Sequence, residues 1–191
     1  MNKAAFIHKM TFPLIGLGIL LSSYAYIPAL RAIFGIDAFI TINFSVLITA
    51  LVGGYMAALA GCITWLRVIA IQPITYTHSP TRSLRKPHWL GLSFLIPIPF
   101  ISCLLLGWFW QRDRSHSKHL DEVYRETANF HVSFHLYLLI SFFLMPIIAG
   151  FLMILLLLIT FVFATLYHLI RTPKPEAISR YPINIRIAIN S

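Results

Sequence analysis

The chain has 191 residues, 58% of them hydrophobic and 11% charged, with a mean hydropathy of +0.78. Ordinary soluble domains carry about a quarter charged residues, so a water-soluble fold of this length could not cover so much apolar surface. The net charge of +9 falls almost wholly between or beyond the apolar runs. There Lys and Arg set membrane topology and meet anionic head groups, which argues against nucleic acid as a partner.

Four stretches lack Asp, Glu, Lys and Arg: residues 11–30, 41–66, 89–110 and 132–170. A bilayer crossing needs about 20 apolar residues. The first three are single crossings, and the fourth is long enough for two. The expected fold class is therefore an all-α integral membrane bundle of about five transmembrane helices, the last two a tight hairpin. Two regions follow: residues 1–85, with two helices and a basic loop, and residues 86–191, with three helices and a short tail.

The first run follows Lys3 and Lys9 and contains Ser23-Tyr24-Ala25, a pattern shared with cleavable signal peptides. The run continues to Leu30, so retention as a span is the expectation. In the second run Gly53, Ala57 and Gly61 recur every four residues, as do Gly54 and Ala58. This spacing lets helices approach closely. In the third, Pro97 and Pro99 predict a kink. Trp89, Trp108, Trp110 and Tyr124 fall at span ends, as in an interfacial aromatic belt. Cys62 and Cys103 lie inside apolar runs without metal spacing and read as small buried hydrophobes.

Between the third and fourth runs the chain reads Leu120-Asp121-Glu122-Val123-Tyr124-Arg125-Glu126-Thr127-Ala128-Asn129-Phe130-His131. Asp121 and Arg125 form an i, i+4 pair in the favourable order. The expectation is an interfacial helix with Leu120, Val123 and Tyr124 on its apolar side and the charges toward water. Glu122 and Glu126 lack a nucleophile or metal spacing and are not expected to be catalytic. Asn129 sits where the chain enters lipid. Pro146 and Gly150 mark the turn of the hairpin. The tail holds Tyr181-Pro182-Ile183-Asn184-Ile185-Arg186, whose alternating isoleucines continue to Ile189 and predict a short extended segment.

These two motifs, around an apolar hairpin, resemble those of an uncharacterised bacterial multi-pass membrane family. That family is related to the Tic-type subunit of the chloroplast inner-envelope import translocon. The resemblance covers about residues 86–189 and is carried by Asp121, Glu122, Arg125, Glu126, Asn129, Phe130, Tyr181, Pro182 and Arg186. His131 stands where the family has Gln. The resemblance implies a helical membrane bundle and, by analogy, a part in protein translocation, but no catalytic chemistry.

His131, His135 and His168 are the candidates for a cofactor or metal. The first two share a helix face, and the hairpin returns the third toward the same side. The expected function is a non-catalytic subunit or an assembly or translocation helper in the bacterial inner membrane. Its partners are lipid and other membrane proteins, and it carries no cofactor. The alternatives are a small transporter or channel and a histidine-based haem or metal redox protein. Counting Lys and Arg on the two sides favours a cytoplasmic C-terminus.

Overall fold

A computed structural model describes residues 13, 15–17, 20, 44–77, 84–95, 100–171 and 181, with the side chains of 44–48 excepted. The first predicted span therefore lies mostly outside the described residues, as does the predicted extended tail with Pro182 and Arg186. All regular structure among the described residues is helical: α1 Phe44–Ile71, α2 Lys86–Gly91, α3 Ile101–Asp113, α4 Lys118–Phe143 and α5 Ala149–Arg171, with short 3-10 turns between them. By chain contacts the molecule divides into two units, Met1–Trp65 and Leu66–Ser191.

In the first unit, the two small-residue stripes of α1 differ in use. Gly54, Ala58 and Cys62 are buried, whereas Gly53 is exposed and Ala57 half-buried. Gly61 is the point of closest approach: a Cβ there would lie 2.6 Å from Ile15 Cγ1. The packing face is thus centred on Gly61 and the Gly54 stripe rather than on Gly53.

In the second unit, α4 and α5 form the hairpin expected from Pro146 and Gly150. A 3-10 turn, Met145–Ile147, joins them, and Ile148 takes φ 63. A Cβ on Gly150 would lie 2.2 Å from the Ser141 carbonyl oxygen and 2.3 Å from Met145 N, so only glycine fits. At 1.5 Å per residue the two helices are about 39 and 35 Å long.

The third predicted run is not one kinked helix. α2 passes into a 3-10 turn, Leu92–Leu95, and α3 starts only at Ile101, after Phe100 in the left-handed region (φ 62). Pro97 and Pro99, expected to kink it, lie outside the described residues, and the left-handed Phe100 precedes a fresh helix start. α3, about 20 Å long, is shorter than the roughly 30 Å hydrocarbon layer.

Two described helical stretches are long and apolar enough to cross a membrane, Thr49–Ile71 and Ala149–Arg171. Phe151, Leu152, Leu155, Leu156, Ile159 and Phe163 leave one side of α5 bare. Its other side, with Phe161 and Ala164, closes an aromatic core with Phe130, Phe134 and Tyr181.

Candidate functional site

Two buried polar assemblies lie in the second unit. The first gathers the charges of the 113–125 region. Ser117 caps α4, accepting a hydrogen bond from Leu120 N at 3.1 Å. That start places Asp121 in the first helical turn, facing inward and 1% exposed. Its carboxylate accepts from Trp110 Nε1 at 2.7 Å and from Arg125 Nη2 at 3.3 Å, with Arg114 Nε at 3.6 Å. Arg114 donates in turn to the carbonyls of Ile69 and, at 2.9 Å, Gln72. It thereby satisfies acceptors left over at the end of α1. Burial pushes the Arg114 guanidinium below its ordinary pKa, and the Asp121 charge opposes that shift. Asp113, also buried, accepts from Lys86 Nζ at 2.7 Å and from Tyr124 Oη at 3.0 Å.

This overturns the expectation of a solvated charge cluster. Asp121 is a core acid, and only Glu122, Arg125 and Glu126 are half-buried. The expected aromatic belt is corrected as well. Trp89 and Trp108 are exposed, but Trp110 and Tyr124 are fully buried because each binds a buried aspartate. Asn129 and Phe130 are buried too, with the Asn129 carbonyl accepting from Ser133 Oγ at 2.7 Å.

The second assembly is a layer of imidazoles. His88, His131, His135 and His168 are all at most 3% exposed. His131 Nδ1 pairs with Ser102 Oγ at 3.2 Å. His135 stacks on Phe100, ring centroids 4.5 Å apart. His168 does not join those two directly. It lies against Tyr181, centroids 3.9 Å apart, and 5.7 Å from the ring of His88. His88 Nδ1 and Tyr181 Oη are hydrogen-bonded at 2.5 Å, and the Tyr181 ring stacks on Phe130 at 4.3 Å. Burial raises the Tyr181 phenol above its ordinary pKa, and a hydrogen bond with Thr127 opposes this. The tail motif is therefore anchored in the bundle through Tyr181.

Sequence reasoning missed His88, which falls at the edge of an apolar run and reads as part of the loop. Pro87 marks a helix start, but no sequence signal gives the side that His88 faces. Among the described residues, no group of three or more His, Cys, Asp or Glu is arranged to hold a metal ion.

The described residues thus form a helical fold with two helices long and apolar enough to cross a membrane and two buried polar assemblies. The profile of the magnetosome magnetite crystal formation protein family matches residues 85–188, more than half of the chain. The chain belongs to that family. No curated protein and no solved structure matches it.

Proposed function

We propose that this chain is a multi-pass protein of the magnetosome membrane that serves magnetite crystal formation as a non-catalytic subunit or assembly helper. The observation that carries the reading is the bare side of α5. An unbroken apolar surface from Phe151 to Ile170, with no charge before Arg171, suits lipid and not water. The family's name supplies the process, and the magnetosome membrane then takes the place of the bacterial inner membrane expected from the sequence. The likeness to the Tic-type import subunit rests on its two motifs and adds only that a helper of this kind acts within a membrane.

Arg114 meets the Ile69 and Gln72 carbonyls and Lys86 meets Asp113, so the end of α1, the start of α2 and the Arg114–Ser117 loop belong on one side, and in this reading the third predicted run does not cross. That loop and the C-terminal tail share the cytoplasmic side, and the Met145–Gly150 turn faces the opposite one. Fractionation is the first test: the chain should stay with magnetosome membranes through alkaline carbonate extraction. Its release as a soluble protein would overturn the reading. Single cysteines placed at Ser115, Ile148 and Ser191 in a chain lacking Cys62 and Cys103 should label from one, the other and the first side respectively. Labelling of all three from one side would overturn the topology and leave membrane insertion standing.

A further inference from the structure

Residues 86–113 begin and end at one level of the second unit. At the outer end Lys86 Nζ pairs with Asp113 at 2.7 Å. The segment before α2 meets the loop after α3 there, with Thr77 N donating to the Ser115 carbonyl at 2.8 Å. At the inner end both limbs reach the same residue of α4. Ser102 Oγ on α3 meets His131 Nδ1 at 3.2 Å. Gly91 on α2 packs so closely on that ring that a Cβ would lie 2.7 Å from Nε2. Phe100, which heads the returning limb, stacks on His135, centroids 4.5 Å apart. The two limbs thus descend and return along one stretch of α4.

α4 itself gives the depth. Glu126 is its last charge, and none follows before Arg171. His135 lies about 14 Å beyond Glu126 by helix rise, inside one half of a roughly 30 Å hydrocarbon layer. The described limbs therefore keep to one leaflet. α3 runs antiparallel to α4, since Trp110 Nε1 meets Asp121 and Ser102 meets His131. That register sets Trp108 level with residues 123–125, at the edge of the charged part of α4. Arg112 is one turn further out on the same face of α3. It is exposed and has no ion pair among the described residues. Trp89, Leu95 and Trp108 are 61%, 65% and 59% exposed. Leu95, beyond Gly91, lies at hydrocarbon depth. From water inward the bare groups are a cation, an indole and an aliphatic chain.

We propose that residues 86–113 form a re-entrant hairpin in the cytoplasmic leaflet, and that its outer face seats an anionic phospholipid through Arg112 and Trp108. The proposal rests on the membrane reading above. A phospholipid presents phosphate, interface and acyl chain in the same order as this face presents its groups. The guanidinium pairs with the phosphate oxygens, and the indole takes its usual place at head-group level. The negative head group complements Arg112, which no acid of the described fold neutralises. A soluble protein partner would reach only the outermost of these groups.

The full chain is reconstituted in vesicles of an equal mixture of phosphatidylcholine and phosphatidylglycerol, with one lipid or the other brominated on its chains. Trp65 and Trp110 are 1% and 0% exposed, so bromine quenching reports on Trp89 and Trp108. In a Trp89→Phe chain it reports on Trp108. Brominated phosphatidylglycerol should be preferred at Trp108 about fivefold, the factor that one Arg near an anionic surface supplies. Arg112→Gln should remove the preference with helical circular dichroism unchanged, and added salt should weaken it. Thr75→Cys and Gln111→Cys, each in a chain lacking Cys62 and Cys103, should label from the same side. Labelling from opposite sides would mean that the run crosses and would overturn the hairpin. Equal quenching by the two lipids, or a preference that survives Arg112→Gln, would overturn the lipid site. These outcomes are read on chain that resists alkaline carbonate. Release of the chain by carbonate would overturn the membrane reading itself, and the proposal with it.

Discussion

The two ends of the α4–α5 hairpin are built on opposite terms. At the start of α4, charged groups are buried, and Asp113, Asp121, Arg114 and Lys86 are tied to one another and to backbone carbonyls. At the turn, apolar groups are bare, with Ile147, Ile148 and Phe151 all exposed and no charge nearby. A fold in water would put these the other way round, since burying an ion costs several kcal/mol and apolar exposure is also unfavourable. Both ends make sense together if the surroundings of the turn and of α5 are hydrocarbon. The charged end then has to supply its own polar partners, and the apolar end needs none.

The charged end breaks first. Asp121→Ala leaves Arg114 and Arg125 without their anion and Trp110 Nε1 without its acceptor. A loss of about 3–5 kcal/mol is expected, as for other halves of buried ion pairs. Asp121→Asn keeps an acceptor for Trp110 and should lose less. Denaturant unfolding in detergent ranks the two, and an Ala variant as stable as the Asn variant would show that the carboxylate holds nothing together.

The apolar end is probed by Ile159→Arg, midway along the bare side of α5. In water an exposed Ile→Arg change stays within about 0.5 kcal/mol. At the centre of a membrane helix Arg costs about 2.5–3.5 kcal/mol on insertion scales. The fraction of chain integrated into membranes should fall clearly. Wild-type integration would remove the contrast between the two ends.

Much of this was legible in the sequence where pattern alone decides structure. The hairpin follows from the length of the 132–170 run and from Pro146 and Gly150, because a turn in an apolar run needs those residue types. What hid was the side each polar residue faces. Asp121 and Arg125 satisfy the spacing of a surface pair, and spacing cannot tell that Trp110 and Arg114 reach the same carboxylate from another helix. His88 and Tyr181 are 93 residues apart and show no common period, so only the fold brings them into contact. The third run misled for a local reason. Its composition is that of a span, and composition does not foretell the 3-10 turn at Leu92–Leu95 or the left-handed Phe100.

Smaller changes sharpen the comparison by testing how firmly each end is fixed. Gly150→Ala puts a Cβ against backbone atoms of Ser141 and Met145 that cannot turn aside, so a cost of about 1–3 kcal/mol is expected. Gly53→Ala, with nothing within 4 Å, should be neutral or mildly stabilising through helix propensity. Equal effects at the two glycines, read from melting in detergent, would mean that the hairpin turn is looser than its geometry. Tyr181→Phe is the mildest. The ring keeps its stacking on Phe130 and its contact with His168, and only the phenol's hydrogen bonds, to His88 Nδ1 and with Thr127, are removed. A loss of about 1 kcal/mol follows, with increased proteolysis after residue 171 as the tail loses its anchor. Tyr181→Ala also removes the aromatic contacts and should cost several-fold more. If the two substitutions prove equal, the phenol oxygen alone would hold the tail, and the stacked rings would contribute nothing to its attachment.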